Sequence, residues 1–166
     1  MPKVISARGP ERKHRPRAVK GVRLFAAETA VREMIFHADA GAAVRKEVMG
    51  LMMGAAYCDD EGEYAVVTGT ATSELDADEV SVRFDRGCME ELFGSMDSAC
   101  GDEVVGWYHS HPGFGCYLSD TDIRTHEGIF GNDAGFALVI DPDAGTFAVF
   151  VCNDGAPETV RMVVME

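Results

Sequence analysis

Apolar and polar positions change period repeatedly along this chain, and the changes mark out alternating strands and helices. Residues 19–26 carry a short apolar run that predicts a strand. Residues 27–41 switch to helical spacing, with Ala30, Val31, Met34, Ile35 and Ala38 on one face and Glu28 near the start. Residues 47–57 and 64–72 read as the two strands of a hairpin around an acidic turn at 58–63. Residues 84–99 predict an amphipathic helix, with Met89, Leu92, Phe93 and Met96 on one side. Residues 104–109 form a dense apolar strand and 121–130 a helix. Residues 135–140 and 146–152 form a second hairpin around Asp141-Pro142-Asp143-Ala144-Gly145, and 160–164 an edge strand. The pattern is that of a mixed α/β domain, with no internal repeat.

Composition narrows this picture. A chain of 166 residues has the usual length of a single domain. No apolar run approaches the roughly 18–20 residues of a membrane span, and no signal-peptide pattern opens the chain. The expectation is therefore a cytoplasmic protein with no membrane partner. Cys58, Cys88, Cys100, Cys116 and Cys152 contain no Cys-x-x-Cys pair, which argues against a disulfide framework or a structural zinc finger and fits a reducing compartment. The nine methionines are expected to fill gaps in the core.

Charge adds a second boundary. The chain has a formal net charge of −13, yet Lys3, Arg8, Arg12, Lys13, Arg15, Arg17, Lys20 and Arg23 crowd its start against the one acid Glu11. Residues 1–18 therefore read as a basic, mobile arm, and residues 19–166 as the folded domain. The strongly acidic body makes nucleic acid an unfavourable partner.

The chemistry is concentrated in one stretch, Gly106-Trp107-Tyr108-His109-Ser110-His111-Pro112-Gly113-Phe114-Gly115-Cys116-Tyr117-Leu118-Ser119-Asp120-Thr121-Asp122. His109 and His111 sit two apart at the end of a strand, so they share a face and both imidazoles can aim at one ion. Asp122 follows a Pro/Gly turn and can return to the same point. Two His and one carboxylate leave a fourth tetrahedral position open for a water, which the metal acidifies into a nucleophile. Ser119-x-x-Asp122 also has the form of a capping box opening the next helix. The two readings are compatible, because a helix starting there would hold Asp122 rigidly beside the strand end.

His-x-His followed after ten residues by Asp, with Pro112, Ser119 and the upstream Glu47, resembles the JAMM (MPN-plus) metalloproteases over residues 21–150. The block His109-Ser110-His111-Pro112-Gly113-Phe114-Gly115-Cys116-Tyr117-Leu118-Ser119 is most similar to the branch of the proteasome-lid deubiquitinase and the signalosome deneddylase. The resemblance implies a cytidine-deaminase-like fold with a mixed, largely antiparallel sheet flanked by helices. It also implies one Zn2+ per chain on His109, His111 and Asp122. Glu47 corresponds to the glutamate that moves a proton from the attacking water to the leaving amine, and Ser119 to the serine that helps hold the oxyanion. Cys116 has a family counterpart with no catalytic part, so a packing role is expected of it.

The acidic residues 73–82 fall where the family carries a flap that pairs by strand addition with the tail of ubiquitin, and Val80, Ser81 and Val82 are the residues expected to bind substrate there. The activity implied is a zinc-dependent isopeptidase that removes ubiquitin or a ubiquitin-like modifier from conjugated proteins, with those conjugates and a proteasome-like assembly as partners. A minimal domain of this kind suits an archaeal homologue. The competing functions are a JAMM peptidase that trims a sulfur-carrier protein or a small amide, and a non-catalytic MPN scaffold.

Overall fold

The computed structural model describes residues 22–60, 62–72, 103–131 and 135–166. The expected basic arm, the expected flap with Val80, Ser81 and Val82, and the helix expected over 84–99 lie outside the described residues. In chain order the elements are β1 (Val22–Ala27), α1 (Glu28–Ala43), β2 (Met49–Asp59), β3 (Gly62–Ala71), β4 (Glu103–Ser110), α2 (Asp120–Phe130), β5 (Phe136–Asp141), β6 (Thr146–Asn153) and β7 (Ala156–Met165).

The strands pair in the order β1-β3-β2-β4-β5-β6-β7, and β7 returns to β1 to close a barrel. Four pairings are antiparallel (β2 with β3, β2 with β4, β5 with β6, β6 with β7) and three are parallel (β1 with β3, β1 with β7, β4 with β5). The mixed, largely antiparallel α/β fold is as expected. The edge strand expected over 160–164 is a correction: β7 is longer and pairs on both sides, so it has no free edge. Its pattern looked like an edge because most of its side chains stay partly or fully exposed, whereas closure is made by its backbone.

Two apolar clusters line the two faces of the sheet. Ala30, Val31, Met34 and Ala38 of α1 pack with Leu24, Met52, Val67, Val105, Leu138 and Val149, and Val160 and Met162 complete a cluster that draws on all seven strands. A helix that reaches strands so distant in the order lies within the curve of the sheet. The His37 Nδ1 and Tyr108 hydroxyl, 2.7 Å apart, tie that helix to β4. Ile35 departs from expectation: it is 40% exposed, on the flank of the buried stripe beside exposed Phe36.

The second cluster joins Met49, Leu51, Met53, Trp107 and Val139 to Ile129 and Phe130 of α2, so α2 covers the opposite face. β4 is thus sandwiched between helices. Its end, where His109 emerges, meets the start of α2, where Asp122 is held.

Candidate metal centre

His109 and His111 are positioned by different parts of the chain. His109 lies next to the last residue of β4, pairs with Met49 on one side and Val139 on the other, and is fully buried. Its ring stacks on Trp107, with centroids 4.3 Å apart and planes 9° from parallel. His111 lies just past β4, where its N–H donates to the Ile140 carbonyl at 2.8 Å. Its Nδ1 lies 3.2 Å from the Gly115 carbonyl. A carbonyl can only accept, so Nδ1 carries a proton, and in the neutral ring Nε2 is then the nitrogen that presents a lone pair.

Asp122 is delivered by the start of α2. The Ser119 hydroxyl accepts the Asp122 N–H at 3.1 Å, and the Ser119 N–H donates to Asp122 Oδ2 at 2.9 Å. The capping box expected from the sequence is therefore formed in full. The carboxylate oxygen used in the cap is the same one that faces the two histidines.

Three atoms converge. His109 Nε2 and His111 Nε2 are 3.1 Å apart, and Asp122 Oδ2 is 3.1 Å from the first and 3.2 Å from the second. An ion with tetrahedral bonds of about 2.0–2.1 Å requires ligand atoms about 3.3 Å apart, so this triangle has the size of one face of such a site. The chemistry of the donors agrees with the size. Two imidazole nitrogens and a carboxylate oxygen at this separation repel one another unless a cation or shared proton lies between them. His109 Nδ1 is buried with no hydrogen-bond partner among the described residues, so the polar contacts of this ring are all made through Nε2. His109, His111 and Asp122 are the group that could hold a metal ion among the described residues.

Electrostatics sharpen the division of labour. Burial lowers the pKa of His109 against the opposing pull of Asp122, which favours the neutral ring. At His111 burial acts in the same direction, but the Asp122 hydrogen bond and charge, the charge of Glu47 and the Gly115 carbonyl outweigh it, and the pKa rises. Burial opposes ionisation of Asp122, but the close approach of both imidazoles and the Ser119 N–H hold it well below the usual carboxylate range. Asp122 is thus a permanent anion beneath two imidazoles.

Glu47 is buried on the segment leading into β2, and its charge is felt at His111. The next residue is clamped to the spacer between the two histidines: the Val48 N–H donates to the Ser110 hydroxyl at 2.8 Å, and the Ser110 N–H donates to the Val48 carbonyl at 3.0 Å. Ser110 was not singled out from the sequence. As the x of His-x-His, it gives no local sign that its hydroxyl reaches a residue 62 positions earlier.

Asp141 was also missed. It reads as the first residue of a turn, yet its buried carboxylate accepts N–H groups from Gly113, Gly115, Asp143 and Ala144 at 3.0–3.2 Å. Burial works against its charge, but those four donors prevail and lower its pKa. Trp107 is the third residue without a warning in the sequence. Its indole N–H donates to Nδ1 of buried His126 at 3.0 Å, which links α2 to the ring stacked on His109. Cys116 packs its Sγ against the Thr146 carbonyl at 3.5 Å, in keeping with a packing role, and Cys116 and Cys152 are free thiols.

The family model described as JAB1/Mov34/MPN/PAD-1 ubiquitin protease matches residues 20–130, a span that includes Glu47, both histidines, Ser119 and Asp122. The chain belongs to this family. Subunit 5 of the COP9 signalosome complex from Emericella nidulans is 36% identical over 135 residues, covering 77% of this chain and 37% of that protein. The ubiquitin carboxyl-terminal hydrolase RPN11 from Saccharomyces cerevisiae is 36% identical over 126 residues, covering 72% of this chain and 38% of that protein. The chain thus spans about two-fifths of the length of these relatives. A solution structure of a protein from Desulfitobacterium hafniense matches at a TM-score of 0.60 and 20% identity, covering 86% of this chain and 93% of that one, which supports the fold alone. No helix among the described residues is long and apolar enough to cross a membrane.

Proposed function

We propose that this JAB1/Mov34/MPN/PAD-1 domain is a zinc-dependent isopeptidase that releases ubiquitin or a ubiquitin-like modifier from a lysine of a conjugated protein. The observation that carries this reading is the triangle of His109 Nε2, His111 Nε2 and Asp122 Oδ2, closed to ion-binding size with buried Glu47 beside it. Zinc held by these three residues would supply a Lewis acid for the scissile carbonyl and a water acidified toward neutrality.

The remaining work belongs to side chains of the chain. Glu47 accepts the proton of the attacking water and passes it to the lysine amine as the amide bond breaks. It is buried, and it lies close enough to the centre for its charge to raise the pKa of His111, which places a carboxylate beside the reacting groups. The Ser119 oxygen is occupied in accepting the Asp122 N–H, but its hydroxyl proton remains to be donated to the oxyanion of the attacked carbonyl. His109, stacked and sealed, and Asp122, locked by its cap, keep the carbonyl's binding point fixed. Val80, Ser81 and Val82 pair with the modifier's tail and draw its last residues toward this point. Conjugates of ubiquitin or a ubiquitin-like protein are then the partners, within a proteasome-like or signalosome-like assembly as the relatives' names indicate.

The test is cleavage of an isopeptide-linked ubiquitin-type conjugate and of a linear fusion by the full chain, with zinc and after chelation. The zinc-loaded protein is expected to cleave the isopeptide. Glu47→Gln is expected to retain zinc and lose roughly 10²–10⁴-fold in turnover, because an amide cannot take the proton. Near-wild-type turnover of that variant would remove Glu47 from the mechanism. A zinc-loaded wild type inert toward both substrates would overturn the isopeptidase reading.

A further inference from the structure

The loop that follows His111 is organised by a residue from another part of the chain. Gly113 and Gly115 both have left-handed backbones, at φ 78° and 81°, and their N–H groups turn toward one carboxylate. That carboxylate is Asp141, at the end of β5. Its Oδ1 accepts the N–H groups of Gly113, Asp143 and Ala144, and its Oδ2 accepts that of Gly115 alone. Gly115 in turn presents its carbonyl to His111 Nδ1. A single side chain thereby joins the β5–β6 turn to the hydrogen bond that sets the tautomer of a candidate metal ligand.

We propose that Asp141 is a positioning residue for the metal centre: by holding the Gly115 amide, it aims the Gly115 carbonyl at His111 Nδ1 and so keeps His111 Nε2 directed at the ion. The inference rests on the metal-centre reading of His109, His111 and Asp122. Two features distinguish this link from ordinary turn stabilisation. The β5–β6 turn is satisfied by Oδ1, through Asp143 and Ala144, so the bond from Oδ2 to Gly115 is not needed to make the turn. That bond also reaches the residue whose carbonyl meets the ligand, 26 positions earlier in the chain. Partners that orient a ligating imidazole through its second nitrogen are worth roughly 10–100-fold in metal affinity.

Asp141→Asn separates the two roles. An amide has one acceptor oxygen, which is retained best at the Oδ1 position where three N–H groups converge. Its NH2 then faces the Gly115 N–H, donor against donor, and that bond is lost. Zinc affinity of the full chain, measured by competition with a chromophoric chelator, is expected to fall roughly 10–100-fold in Asp141→Asn. Gly145→Ala serves as the comparator. It strains the same turn at φ 66° without touching the carboxylate, so it should lower the melting temperature and leave zinc affinity at the wild-type value.

Gly115→Ala gives a second route should Asp141→Asn fail to fold. The added methyl meets nothing within 4 Å, but φ 81° is strained for alanine, so the carbonyl turns away from His111 and zinc binding weakens with Asp141 intact. Wild-type zinc affinity in a folded Asp141→Asn, or in Gly115→Ala, would overturn the proposal. Equal loss of affinity in Gly145→Ala would also overturn it, since general loosening of the turn would then suffice. A wild-type chain that binds no zinc would defeat the metal-centre reading itself, and this proposal with it.

Discussion

The two histidines of the site are two residues apart, yet they are held by opposite means. His109 belongs to the core: it is fully buried, stacked on Trp107, and backed through Trp107 by His126 of α2. His111 belongs to a loop: it is fixed by the Ile140 and Gly115 carbonyls and bordered by Tyr117, a half-exposed ring whose centroid is 5.1 Å away. The first is positioned by packing and the second by backbone hydrogen bonds, one of them to Gly115, whose N–H is held by Asp141. Global stability and ligand geometry are therefore coupled on the strand side and separable on the loop side. The strand-side half is sealed in the core, and the loop-side half lies beside the exposed Tyr117.

The largest expected effect lies on the strand side. Trp107→Ala removes a ring that is 1% exposed, together with the donor to His126, and should destabilise the metal-free chain by about 3–5 kcal/mol in urea denaturation. A loss below about 1 kcal/mol would mean that His109 is not held by the core.

A smaller effect follows from His126. Burial lowers its pKa from 6.5 to about 4, so the folded chain keeps it neutral and able to accept the Trp107 N–H. Between those pH values the unfolded chain binds the proton that the folded chain refuses. Stability should therefore fall as pH drops from 6.5 toward 4, with His126 contributing on the order of 3 kcal/mol. His126→Gln, which cannot titrate but can still accept the indole N–H, should flatten that slope. An unchanged slope would assign the pH dependence elsewhere.

The smallest effect belongs to the loop side. Tyr117 is 49% exposed and borders His111 without holding it, so Tyr117→Ala should change stability by less than about 0.5 kcal/mol. A cost comparable to that of Trp107→Ala would erase the distinction between the two halves.

The same distinction explains what could be read from the sequence. His109, His111, Ser119 and Asp122 lie within 14 residues, joined by a strand end, a turn and a capping box, all of which leave local signatures. Among the described residues, strands and helices with regular periodicity were legible for the same reason, to within a few residues at most of their ends. Ser110 and Asp141 were not, because each acts on backbone groups distant in the chain, and a hydroxyl or carboxylate carries no mark of which N–H it will accept. Closure of the barrel was hidden likewise. The side chains of β7 remain largely exposed while its backbone pairs with β6 and β1. Ile35 shows the limit of spacing alone, since it fits the helical period yet falls on the flank of the stripe.

The central claim is that His109, His111 and Asp122 form a zinc site, and elemental analysis of the purified full chain tests it most directly. Wild type should carry one zinc per chain and His109→Ala/His111→Ala none, with both folded by circular dichroism. Stoichiometric zinc retained by the double variant, or a folded wild type that takes up no zinc when it is supplied, would contradict the account.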